Sequence, residues 1–275
     1  MSFYTSLSGL RGAQTELGTI SNNLANVSST GFKRSRTEFG DLFSSAPSQT
    51  TKFVSGQGVR LNGVQQQFNQ GTLESTEKTL DLAVAGEGFF VVKGPAPQSA
   101  TTYTRNGAFQ IAPNRTVVDT LGNKLQLLPV DADGVATATG LGSTFDLVLP
   151  NVSPTNPAAG LANISVNNSG VVTATYTDGS SNAIGAVALA SFVSQQGLRP
   201  VGDAHWQQTG DSGAANVNAA NTGALGAVRS GTLERANVDV TEELVALIAA
   251  QRNFQANAKA IETATTLSQT IFNIN

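Results

Sequence analysis

The two ends of this chain carry a seven-residue repeat of apolar positions. Phe3, Leu10, Leu17 and Leu24 recur every seven residues, with Ser6, Ala13, Ile20 and Val27 three positions on. Val240, Leu247, Phe254 and Ile261 repeat the spacing near the other end, with Leu244 and Ala258 as a second row. Such spacing predicts amphipathic helices whose seams need another helix to cover them. A helix over residues 3–27 would be roughly 35–40 Å long. Burying its larger apolar side chains would contribute roughly 10–18 kcal/mol gross, against roughly 1–2 kcal/mol per residue for ordering the backbone. Gly9, Gly12, Gly18, Thr15, Thr19 and the run Ser21-Asn22-Asn23 lower its propensity. The helix is expected to be stable only when packed, on the other seam or on another copy of the chain.

Between the ends the period changes. Phe32-Lys33-Arg34-Ser35-Arg36 follows the first helix, with Gly31 expected at its C-terminal cap. Thr37 to Phe43 fits one more short helix, and polar residues 44–58 read as linker. From Val59 the alternation is that of strands, clearest at Leu80–Val84 and Phe89–Val92, with a turn at Gly86-Glu87-Gly88. Asn106-Gly107, between Tyr103 and Phe109, is the strongest hairpin signal, because a type I′ turn needs positive φ at both central residues. Further short strands are expected around residues 117–128, 145–149, 164–176 and 186–192, and residues 207–231 read as a second linker. Asp239-Val240-Thr241-Glu242 forms a capping box for the last helix. The expected fold class is α+β. A discontinuous, coiled-coil-like domain of the terminal helices (1–30 with 237–275) joins through an extended arm (31–70) to an all-β domain of short antiparallel strands (71–206), and 207–236 return as linker.

Composition narrows the function. Of 275 residues, 40% are apolar but only 13% charged, so a core is available while the surface is neutral and hydrogen-bonding. That surface suits dense contact between proteins. A formal net charge of -3 argues against nucleic-acid or anionic-membrane partners. There is no cysteine for a disulfide or thiolate site, no apolar run long enough to span a membrane, and no signal-peptide pattern at the start.

Candidate chemistry is sparse. His205, the single histidine, lies near Asp203 but without a nucleophile-elbow pattern, so a packed or solvated loop residue is favoured over a catalytic one. One histidine and no cysteine do not make a metal cluster. Gly86-Glu87-Gly88 precedes a strand, not a helix, so it offers no phosphate-binding terminus. Asp131-Ala132-Asp133-Gly134 lacks the later bidentate acid of a calcium loop. No catalytic residue, cofactor or metal is expected. Lys33, Arg34 and Arg36 form the one basic cluster, readable as a solvated turn or as an inter-subunit patch beside Phe32 and Phe39.

Three segments resemble the flagellar rod and hook family of axial proteins. They are Ser21 to Val27 with Thr30-Gly31-Phe32-Lys33; Leu80 to Phe90 with Tyr103 to Phe109; and Asn237 to Val245 with Gln251 to Lys259. The start Met1 to Leu10 and the stretch Gly58 to Gly71 are similar to hook-type members, whereas the length leaves room for about one β domain, as in distal-rod members. The resemblance implies a non-enzymatic subunit that stacks helically into a hollow tube outside the cell, exported unfolded through the type III apparatus without a cleaved signal. A flexible hook joint transmitting torque is the first expectation, and a distal rod the alternative. A soluble ligand-binding β module with a helical oligomerisation stalk is the reading from another class. Implied partners are further copies, neighbouring rod and hook–filament junction proteins, the hook cap and the export apparatus. The implied assembly contacts are Phe3, Leu10, Leu17, Ile20, Leu24, Val27, Phe32, Lys33, Arg34, Arg36, Val240, Leu244, Leu247, Phe254, Ala258 and Ile261.

Overall fold

The seven-residue repeats become two helices, α1 (Ser2–Ala25) and α2 (Val240–Ile274), in a computed structural model that describes residues 2–43, 56–95, 99–131, 133–154 and 156–274. The chain divides into two compact units. The first holds residues 1–27, 34–67 and 238–275, and the second residues 28–33 and 68–237.

In the first unit, α1 packs on α2 and on an antiparallel hairpin of β1 (Ser35–Phe43) and β2 (Gly56–Gln66). Gly9 lies against Asn257, where an added Cβ would come 2.7 Å from the amide oxygen. Further along α1, Asn23 bonds Glu243, an earlier residue of α2, so the two helices run antiparallel. The side chains of α2 withdrawn from solvent include Glu243, Leu247, Ala250, Phe254, Asn257, Ile261 and Ala264, alternating four and three residues apart. Leu247, Phe254 and Ile261 are therefore one row. The second row is Ala250, Asn257 and Ala264, whereas Leu244, one position off it, faces solvent. On α1 the buried apolar side chains are Ala13 and Ile20. Gly12 faces the hairpin, where a Cβ would lie 3.3 Å from Phe39 and 3.6 Å from Val59. Asp239 caps α2 by accepting from Thr241 N–H (2.7 Å) and Glu242 N–H (3.2 Å). The reciprocal half of the expected capping box is replaced, because Glu242 pairs with Arg34 instead.

The second unit is built from short strands: β3 (Leu73–Ser75), β4 (Leu82–Ala85), β5 (Phe89–Lys93), β6 (Thr101–Thr104), β7 (Gln110–Ile111), β8 (Val117–Val118), β9 (Lys124–Leu128), β10 (Phe145–Asp146), β11 (Leu161–Val166), β12 (Val171–Tyr176), β13 (Ser181–Val187), β14 (Leu189–Ser191), β15 (Arg199–Gly202), β16 (His205–Gln207), β17 (Asn216–Asn218), β18 (Ala227–Ser230) and β19 (Thr232–Glu234). The main antiparallel sheet runs β11-β12-β13-β9-β5-β6-β16-β15, and β18 pairs with β4 and β19 with β3. β5 is central and covered on both faces, which explains its unbroken apolar run. Phe90 and Val92 point into a core with Leu125, Leu127, Val187 and Leu189. Phe89 and Val91 point into a second core with Tyr103, Phe192 and Trp206. There, edge-to-face rings sit 4.8–5.9 Å apart.

Several local expectations are corrected. Thr37 to Phe43, read as a short helix, is most of β1, because pairing with β2 overrides local propensity. Most of the polar stretch 44–58 lies outside the described residues, and Gly56 to Gly58 begin β2. Asn106-Gly107 is not a hairpin turn: β6 pairs with β5 and β16, and β7 with β8. Gly107 is needed for close approach, since a Cβ there would lie 1.6 Å from the Leu82 carbonyl oxygen. Gly31 has positive φ (70°) but lies well past the last turn of α1, pressed against the backbone of Arg105 and Asn106. Residues 207–231, read as linker, contain β17 and β18.

Candidate assembly surface and buried locks

The expected contact residues separate into three environments. Ile20 is buried, and Leu10, Leu17, Leu24, Leu247, Phe254, Ala258 and Ile261 are half-buried, so much of this set is already partly covered within the chain. Val27 and Phe32 are half-buried as well. Phe3, Arg36, Val240 and Leu244 are exposed. Val240 (42% exposed), Leu244 (44%), Val245 (64%) and Ile248 (51%) form one stripe at i, i+4, i+5 and i+8 on α2, turned away from the row it buries. Given the antiparallel register, residues 265–274 run on past the start of α1, roughly 15 Å of helix, and carry exposed Leu267 and Ile271.

Where β1 leaves α1, a polar group ties the first unit together. The Asn23 amide acts as a piece of backbone, accepting from Ser35 N–H (2.9 Å) and donating to Ser35 C=O (2.8 Å). Its NH₂ also reaches the buried carboxylate of Glu243 at 3.3 Å. Arg34 bridges Glu243 (2.6 Å) and Glu242 (3.0 Å), the latter largely exposed. These side chains, with Glu16 and Arg36, line a cleft of about 360 Å³.

Lys33 is not part of an exposed basic patch. It is buried in the second unit, its ammonium 2.7 Å from Glu234, whose other oxygen takes Arg105 at 3.2 Å. Arg105 also donates to Gly86 C=O (2.9 Å), and its guanidinium lies 5.3 Å from the Phe89 ring centre. Burial pushes the Lys33 pKa below its ordinary value, against the attraction of Glu234 and with the help of Arg105. The cluster holds two cations and one anion, and burial likewise lowers Arg105.

His205 is buried with both ring nitrogens engaged. Nε2 lies 2.7 Å from Asp119 Oδ2, and Nδ1 lies 2.8 Å from the Asp203 carbonyl, not its carboxylate. Asp119 also accepts from Leu121 N–H and twice from Asn123, closing the turn between β8 and β9. Burial pushes the Asp119 pKa up, but its bonds from His205 and Asn123 outweigh this and hold it below the ordinary carboxylate value. Neither ring nitrogen is open to a substrate, so the pair braces the fold. Asp131 forms a plain turn, accepting from Asp133 and Val135 N–H. Among the described residues no cluster of three or more potential metal ligands occurs, and no helix is long and apolar enough to cross a membrane.

Three family descriptions match separate stretches: "Flagella basal body rod protein" over residues 3–33, "Flagellar hook protein FlgE/F/G D1 domain" over 83–174, and "Flagellar basal body rod FlgEFG protein C-terminal" over 229–274. The flagellar basal-body rod protein FlgG of Borreliella burgdorferi is 31% identical over 273 residues, covering 94% of this chain and 93% of that protein. The chain belongs to the flagellar rod and hook family. FlgG of Agrobacterium fabrum is 33% identical over 270 residues, covering 93% and 92% of the two chains. The flagellar hook protein FlgE of Escherichia coli is 25% identical over 410 aligned positions, covering both chains fully. Rod and hook proteins are structural components of the flagellum that polymerise into its axis. Lys33, Arg105 and Glu234 fall one in each of the three matched stretches. Arg105 and Lys33 lay inside segments singled out in the sequence, but nothing there pointed to Glu234 as their shared partner.

Proposed function

We propose that this chain is a distal-rod-type subunit of the flagellar axis, and that copies join through the helices at its two ends. The observation that carries the reading is the exposed stripe Val240, Leu244, Val245 and Ile248, which leaves α2 apolar on a second side after α1 has covered the first. Covering these four half-exposed side chains contributes roughly 3–6 kcal/mol per contact. The natural occupant is a helix of another copy, in coiled-coil-like packing, with Phe3, Leu267 and Ile271 extending the surface. Arg36, exposed at the start of β1, supplies a polar rim. Neighbouring axial proteins and the type III export apparatus are the expected partners, and the flagellar basal body the expected location.

Length favours the rod. The FlgG relatives align at nearly equal length, whereas the hook alignment stretches to 410 positions to accommodate a 275-residue chain. A hook subunit is the second reading, favoured by the low charge content of 13%, which leaves subunit surfaces free to slide. Electron microscopy of polymers grown from purified protein separates the two: straight, stiff tubes for a rod and curved, pliable ones for a hook. Leu244→Asp should abolish tubes while Trp206 fluorescence reports a folded β unit. Tubes formed normally by that variant would remove the stripe from the interface. A stable small oligomer and no tubes would instead favour a ligand-binding module.

A further inference from the structure

The second unit is linked covalently to the rest of the chain before residue 28, after 33, before 68 and after 237. Three of these links meet at one carbonyl within that unit. The Asn69 carbonyl accepts from Lys33 Nζ at 2.9 Å and from Asn237 Nδ2 at 3.0 Å, so the segments ending at 33, beginning at 68 and ending at 237 share one acceptor. The Glu234 carboxylate repeats the arrangement, taking Lys33 Nζ and Gly71 N–H (2.8 Å) on one oxygen and Arg105 on the other. Backbone bonds complete it: Gly31 N–H to Glu234 C=O at 2.8 Å and Arg235 N–H to Thr72 C=O at 2.9 Å. Arg105, just beyond β6, then bonds carbonyls at the end of β4 and beyond, at Val84 and Gly86.

We infer that Lys33, Asn69, Glu234 and Asn237 form a load-gathering node, which fastens the connecting segments to one another and, through Arg105, hands strain to β4 and the turn after it. A single peptide link under tension unzips its nearest strand, because few bonds share the force. Three links tied at one point must be pulled out together. Charged bonds suit the task because breaking one member strands its partner in a buried site. The mechanical role rests on the reading of this chain as an axial subunit; the coupling of the segments does not.

The test has two parts, both on the full-length chain. Hydrogen exchange is followed in Lys33→Met, which keeps the aliphatic stem and removes the ammonium. Exchange of the Gly31, Gly71 and Arg235 amides should quicken at least tenfold, while Val91 and Val187, bonded to Ala188 and Gly170, change less than twofold. Unchanged exchange at the three amides, or an equal rise at all five, would overturn the node. Should that variant not fold, Asn237→Ala decides: Gly31, on a different segment, should exchange several-fold faster, and no change there refutes the coupling. Tubes of Lys33→Met sheared beside wild type should break to at most half the mean length. Equal lengths would refute the mechanical role, whereas failure of the wild type to form tubes would refute the axial reading instead.

Discussion

Gly107→Ala puts the close approach of two backbones to a direct test. The added Cβ would lie 1.6 Å from the Leu82 oxygen and 2.7 Å from its carbonyl carbon, where ordinary contacts between carbons begin near about 3.5 Å. The two chains must move apart by well over about 1 Å to restore that contact. This breaks the 3.0 Å bond from Leu82 N–H to Gly107 C=O, about 1 kcal/mol. It also shifts Leu82 in the core shared with Phe90 and Val228, a partial cavity costing about 2–4 kcal/mol. The total, about 3–5 kcal/mol, converts to a fall of about 6–20 °C in Tm for a unit of this size. Trp206 is the only tryptophan and is buried in the second core, so its fluorescence on heating reads this unit alone. Gly18→Ala is the matched control. Nothing lies within 4 Å of its added Cβ, and it occupies a helix interior, so the substitution should raise helix stability by about 0.5–1 kcal/mol and leave the Trp206 transition in place. A Gly107→Ala protein melting within about 2 °C of wild type would refute the clash argument.

Asp119→Asn should lower the Trp206 transition at neutral pH by about 4–12 °C, from roughly 2–3 kcal/mol for the altered bonds. Because its pKa is depressed in the folded state, Asp119 contributes stability above the unfolded value near about 3.9 and loses it as pH falls through the lower folded value. The gap between wild type and variant should therefore narrow below about pH 4, and a constant gap down to strong acid would exclude the effect. Arg34→Ala should loosen the helix pair by about 1–3 kcal/mol, since it leaves the buried Glu243 carboxylate with only the Asn23 amide; unchanged hydrogen exchange along α2 would count against it. Phe90→Ala should cost the second unit about 3–5 kcal/mol, with no loss of secondary structure in α1 or α2 by exchange.

Long periodic segments were the most legible part of this fold. Both helices and the row Leu247, Phe254 and Ile261 follow from a seven-residue spacing that needs no tertiary knowledge. Of the expected second row, Ala258 is half-buried while Leu244 faces solvent, and the inward positions next to them are Ala250 and Asn257, the latter against Gly9. Strands covered on both faces, such as β5, were legible from apolar content alone. Asn106-Gly107 misled because local turn chemistry cannot reveal a distant backbone, here that of Leu82, that requires the same glycine. The lock around Glu234 was invisible for a related reason. Lys33 and Arg105 each lie more than a hundred residues from Glu234, and a charged side chain written in sequence looks like a surface one.

The bond from Gly31 to Glu234 also has an entropic meaning. α1 is the first element of the chain and α2 the last, so closing the loop between them from an open chain would cost about 5 kcal/mol for some two hundred residues. Once the β unit has formed, residues 31 and 234 are already side by side, and only a few residues separate each from its helix. The helices then meet as the arms of a short hairpin. Pairing the helices then closes a short loop, at a far smaller entropic cost than closing the long one from an open chain.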